Sequence, residues 1–161
     1  MNLLAVVLLI GACGVLAGQF HHLFGIAPVL GAILCAACFM RPRTLFVIGI
    51  GGMLLRDLLV GFTPFTGVRV VAMVWVVATV VLLKVRPNLR SLLTGLVVSS
   101  ALFHLVLAAG DWATGTCAIF PRTAQGLVSS MVTSLPYFQR ALVGDVLFAS
   151  LFLSLYGLAA Y

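Results

Sequence analysis

The side chains in this 161-residue chain that could do chemistry are few, and the acidic ones are fewest. Its acids are Asp57, Asp111 and Asp145. Asp57 and Asp145 lie inside strongly apolar segments, where an ionised carboxylate costs several kcal/mol unless it is paired or hydrated. Each of these two carboxylates therefore needs a partner from elsewhere in the fold.

Three basic or titratable side chains are expected at the same end of the bundle and could serve as partners: Arg56, His104 and Arg140. On a helix, neighbouring residues point in different directions, and residues five apart do not share a face. The pattern therefore predicts pairing between helices, either Asp57 with Arg140 or Arg56 with Asp145.

These side chains support two interpretations. They are structural ion pairs that point inward because lipid forbids exposure, or they line a polar pocket that opens at the outer face and is closed by the connection holding Trp112. On the second interpretation the predicted ligand-binding residues are Arg56, Asp57, His104, Trp112, Arg140 and Asp145.

Catalysis and metal binding are not indicated, so we predict that the protein is not an enzyme and has no cofactor. Ser100 and His104 share a helical face, but no loop suited to an oxyanion hole accompanies them. Cys35 and Cys38 have the spacing of half a zinc site, but the sequence has no second pair of ligands that would complete it.

Composition indicates a membrane-embedded chain without a soluble domain. Hydrophobic residues make up 63% and charged residues 7%, whereas soluble domains contain about 25% charged residues. The predicted fold is all-α and polytopic, a single domain with six transmembrane helices and a short amphipathic helix before the last span. The spans are expected at about 3–18, 26–40, 44–61, 68–83, 91–109 and 140–161, and the interfacial helix at about 123–135.

The net charge of +6 arises from basic residues scattered in short connections, with no aromatic and basic face for nucleic acid. Membrane lipid is the predicted surrounding. The connections after the second and fourth spans hold most of the basic residues, which places both termini in the cytoplasm. With that orientation, Asp57, His104 and Asp145 are all expected in the outer third of the bundle.

Three segments resemble a family of small bacterial membrane proteins described as S components of energy-coupling-factor (ECF) transporters. They are Arg56–Gly61, Phe120–Leu127 and, most specific, Leu135–Phe148. The resemblance implies a six-helix subunit of the bacterial cytoplasmic (inner) membrane that binds a micronutrient from outside. It also implies work with a transmembrane coupling subunit and ATPases, docked through the small-residue face of the first helix, here Gly11, Gly14 and Gly18.

A different class of function remains open beside this one. The chain could be a structural or assembly subunit of a membrane complex, with no ligand of its own. In that case the intramembrane charges only hold the bundle together.

Overall fold

The computed structural model describes residues 15, 28–85, 88–115 and 119–159. These parts of the chain are all-helical and contain no strand, as the composition predicts. The helices are α1 Pro28–Ala37, α2 Pro42–Val60, α3 Thr66–Leu82, α4 Leu89–Thr114 and α5 Ala124–Ala159.

Local sequence signals set several helix ends. Pro42 lies in the first turn of α2, where its missing N–H costs no helical hydrogen bond. Gly115 has φ 66° at the end of α4, a left-handed conformation that glycine adopts without strain. The short connection after α2 begins at Gly61, whose φ is 111°.

The N-terminus of α4 has a side-chain cap. The Asn88 side chain accepts a hydrogen bond of 2.7 Å from the Ser91 amide. We expect Asn88→Ala to lower the free energy of unfolding by about 1 kcal/mol, because a first-turn amide loses its acceptor. Asn88→Asp is the matched control, and thermal unfolding in detergent should show no comparable loss for it.

Helix α1 lies at the centre of the described bundle. It packs against each of α2, α3, α4 and α5, while α2–α3, α3–α4 and α4–α5 pack as consecutive pairs. Among the described residues α2 and α5 do not touch. The core between the helices is apolar, with Ile33, Ile48 and Val77 fully buried.

The consecutive helices are antiparallel, so the bundle has two distinct ends. At one end Val85 packs against Gly95 and near Leu34. This basic end carries the exposed residues Arg41, Arg43, Lys84 and Arg90. At the opposite end Val68 packs against Gly110. We call it the Asp57 end, because Asp57 and Arg69 pair there.

The described helices lie at most of the predicted segments, and one prediction is corrected. Helix α1 lies within the segment expected at 26–40, α2 and α3 overlap those at 44–61 and 68–83, and α4 contains the segment at 91–109. The predicted break between an interfacial helix at 123–135 and a final span at 140–161 is wrong, because α5 runs as one helix from Ala124 to Ala159 with Pro136 inside it. The first predicted span, 3–18, lies outside the described residues apart from Val15.

Length and composition single out α4 for membrane crossing. Within the described residues, the segment Arg90–Thr114 is long and apolar enough to cross a membrane, whereas Thr66–Leu82 is apolar but shorter. Large apolar side chains are also exposed on other helices, including Leu58, Trp75, Leu82 and Leu147.

Candidate functional site

Asp57 is the centre of a charged cluster between α2 and α3. Its carboxylate is completely buried and accepts hydrogen bonds from two guanidinium groups. Arg56 Nη1 donates to Oδ1 at 2.6 Å, and Arg69 Nη1 donates to Oδ1 and Oδ2 at 3.0 and 3.1 Å. Two guanidinium groups around one carboxylate leave this cluster with a net charge of +1.

The observed pairing differs from the one expected from sequence. Asp57 does not pair with Arg140, because α2 and α5 are not in contact and Arg140 is exposed. Arg56 donates to Asp57, the next residue in sequence, because its side chain is long enough to bend round to the adjacent position. The cross-helix partner is Arg69, which lies twelve residues after Asp57, across a short connection. A helical hairpin places the last turn of one helix beside the first turn of the next. The separation of twelve residues between Asp57 and Arg69 across a short connection could therefore have identified Arg69 as the partner.

His104 lies in a cleft between α4 and α5. The cleft has a volume of about 310 Å³. Its lining residues are Ala101, His104, Leu105, Met131, Val132, Ser134, Leu135 and Phe138. The His104 ring makes edge contacts with Phe103 and Phe138, each at 5.8 Å between ring centroids. The cleft is therefore apolar, with one imidazole and one hydroxyl among its polar groups.

Asp145 lies apart from both features. It is 1% exposed, and neither carboxylate oxygen has a hydrogen-bond partner within the described chain. The hydroxyls of Ser99 and Ser100 on α4 are likewise buried without a partner there. The sequence analysis considered Ser100 only beside His104, and the Ser100 hydroxyl makes no hydrogen bond to that ring.

The candidate residues lie at different depths, which corrects the expectation that they share the outer third. Ser100 on α4 lies beside Asp145 on α5. Gly110, also on α4, packs at the Asp57 end. These two residues are ten positions apart on α4, which is ~15 Å along a helix. Asp145 therefore lies near the middle of the bundle, and the acids do not form one layer.

The remaining predicted residues occupy separate places. Trp112 is half-buried near the end of α4, where its Nε1 donates to the Pro121 carbonyl at 3.1 Å. It thus ties the long connection to the bundle. The docking residues predicted on the first span, Gly11, Gly14 and Gly18, lie outside the described residues.

The six predicted ligand residues therefore do not converge on one pocket in the described part of the chain. Instead there are three separate features: an ion-pair cluster at Asp57, an apolar cleft that holds the His104 imidazole, and the buried carboxyl of Asp145 near Ser100. No group of three or more metal-binding side chains occurs among the residues described. The described part of the chain is therefore an all-helical bundle. Its polar groups lie between the helices, and its outer faces carry many apolar side chains.

Comparison with known proteins identifies a family for the chain. It belongs to the family of unknown function DUF6580, which matches residues 1–161. No curated protein and no solved structure matches it.

Proposed function

We propose that the chain is a multi-pass protein of the bacterial cytoplasmic membrane with six spans and both termini in the cytoplasm. Apolar side chains on the outer faces support this placement, because water-exposed surfaces rarely carry so many. Leu58, Leu82 and Leu147 are 64%, 80% and 62% exposed, and they belong to three different helices or their immediate ends.

The distribution of basic residues supports the orientation. Within the described residues, the connections and adjoining turns at the basic end hold Arg41, Arg43, Lys84 and Arg90. Those at the opposite end hold Arg69 and Arg122. Lys and Arg concentrate on the cytoplasmic side of membrane proteins. The basic end is therefore cytoplasmic, and the Asp57 end faces outward.

Within this placement, we propose that the protein binds a small solute as an S-component-like subunit of an ECF-type micronutrient importer. The cleft between α4 and α5 carries this proposal. Its volume of about 310 Å³ lies at the lower end of the range of about 300–1,000 Å³ for small-molecule sites. It lies in the half of α4 nearer the Asp57 end.

The lining of the cleft indicates the class of solute. Leu105, Met131 and Phe138 offer apolar contact, and His104 offers a nitrogen that can donate or accept a hydrogen bond. A compact, mainly apolar or aromatic solute with one polar group fits this combination. The ion-pair cluster at Asp57 would hold α2 and α3 in place rather than contact the solute.

The energy for uptake would come from partners. The sequence has no glycine-rich phosphate loop followed by Lys and Ser or Thr, so ATP hydrolysis is assigned to separate ATPases acting through a transmembrane coupling subunit. Gly11, Gly14 and Gly18 are the proposed docking residues for that subunit, on the resemblance described above.

The saturation of the Asp57 cluster favours a second candidate function. Every oxygen of the Asp57 carboxylate is occupied by a guanidinium of the same chain. Such an arrangement also suits a structural or assembly subunit of a membrane complex, which binds no solute.

Purification in a mild detergent followed by native mass spectrometry distinguishes the two functions. We expect the wild type to carry a small molecule, and Ala101→Leu to reduce its occupancy at least tenfold, because the larger side chain fills the cleft. His104→Phe should weaken binding while keeping the aromatic contacts.

Ala113→Leu is the matched control, since Ala113 is exposed on the same helix outside the cleft. It should retain the molecule. If the wild type is empty, and a panel of apolar solutes raises the melting temperature of neither the wild type nor Ala113→Leu, the structural function is favoured instead.

A further inference from the structure

The Asp145 carboxyl is the least satisfied polar group in the described chain. Both of its oxygens are buried without a hydrogen-bond donor, and the hydroxyls of Ser99 and Ser100 are in the same condition. Buried polar groups are almost always hydrogen-bonded, and an exception calls for an explanation. Four such oxygens on two packed helices, α4 and α5, point to an occupant that is not a protein side chain.

Among the described residues, no cationic side chain neutralises Asp145 from the helices packed around it. Helix α1 contains no charged residue. On α4 the nearest titratable group is His104, one turn from Ser100, and its ring packs edge-on against Phe103 and Phe138. On α5 itself Arg140 is exposed to the outside. An ionised Asp145 carboxylate would therefore carry an uncompensated charge in an apolar interior unless an ion balanced it.

We propose that Asp145 and Ser100 form a binding site for a small monovalent cation of the Na⁺ class. Carboxylate and hydroxyl oxygens are the hard donors that such ions prefer. A single positive charge balances the single carboxylate, whereas a divalent ion would leave a net charge in the core.

The juxtaposition of the two groups supports a shared ion. Ser100 lies near enough to influence the Asp145 carboxyl, and both side chains are buried without a well-formed hydrogen bond within the described chain. A bound cation can contact both groups at once. A proton on Asp145 would also remove the charge, and the experiment below separates the two occupants. The Ser99 hydroxyl, on the same turn of α4, is a further candidate oxygen.

The site is independent of the proposed solute. It lies at the level of Gly31, where α1 and α5 are in close contact: a Cβ at Gly31 would be 3.2 Å from the Asp145 carbonyl oxygen. A cation there would tie together α4 and α5 beside the central helix. The expected readout is thus stability as well as binding.

The test is thermal unfolding of the full chain in detergent, with NaCl exchanged for choline chloride at constant ionic strength. The wild type should unfold at a higher temperature in NaCl, because an ion that binds only the folded state stabilises it. Asp145→Asn should abolish the difference between the two salts, and Ser100→Ala should reduce it. Binding of ²²Na⁺ to the wild type should be saturable.

Ser150→Ala is the matched control, because Ser150 is an exposed serine on α5 that bonds only within its own helix. It should respond to NaCl like the wild type. Should Asp145→Asn fail to fold, Ser100→Ala and ²²Na⁺ binding still decide the question. Equal melting temperatures of the wild type in both salts with no saturable ²²Na⁺ binding, or an undiminished salt response in Asp145→Asn, overturn the proposal. A response to pH alone, without one to Na⁺, assigns the site to a proton and also overturns it.

Discussion

Replacement of Asp57 by alanine is expected to lower the free energy of unfolding by about 3–5 kcal/mol, the cost of removing one partner from a buried ion pair. The side chains of Arg56 and Arg69 are only 15% and 21% exposed. Without the carboxylate they face each other as two like charges with little access to water. Thermal or denaturant unfolding in detergent measures the loss.

Two further variants test this explanation. Arg69→Met in the Asp57→Ala background should recover part of the stability, because it removes one of the unpaired charges. Arg140→Ala should change stability by less than about 0.5 kcal/mol, as is usual for an exposed residue away from special features. A large loss for Arg140→Ala and none for Asp57→Ala would restore the pairing expected from sequence and contradict the cluster described here.

The second large effect is expected at Gly31, where α1 and α5 are closest. A Cβ at this position would lie 2.9 Å from the Ala149 amide nitrogen and 3.2 Å from the Asp145 carbonyl oxygen. Both atoms belong to the backbone, so the helices would have to separate. We expect Gly31→Val to lower the free energy of unfolding by about 1–3 kcal/mol or more, as overpacking does.

Gly67→Val is the control for this substitution. Gly67 lies in the first turn of α3, and a Cβ there meets nothing within 4 Å. The same change of residue type should therefore cost little at Gly67. If both valines have equal effects on the melting temperature, the close packing of α1 against α5 is not important for stability.

The helices themselves could be predicted from the sequence because apolar segments alternate with turn signals. Pro42 and Gly61 mark boundaries of α2, whereas α4 continues to Thr114, past the predicted end at 109. Pro136 misled the interpretation at α5. A proline predicts a helix boundary, but in α5 the helix continues through it and Pro136 itself is exposed.

The site was harder to predict because depth and pairing depend on which helices touch. Sequence placed Asp57 and Asp145 inside apolar segments, and both are indeed buried. It could not show that α1 occupies the centre and separates α2 from α5, which rules out the pairing with Arg140. Nor could the number of residues before Asp145 show its depth, because α5 begins well before Pro136.

The continuity of α5 sets how the protein would sit in a bilayer. Its 36 residues correspond to ~54 Å, against a hydrocarbon thickness of ~30 Å. With Asp145 at the bilayer midplane, the first three turns from Ala124 would stand among the lipid headgroups. Those turns hold Ser129, Thr133 and Ser134, while Ser130 is buried and donates to the Ala108 carbonyl. The polar first turns of α5 would thus limit how deeply the helix enters the bilayer. They would also bring the opening of the His104 cleft close to the outer boundary of the hydrocarbon.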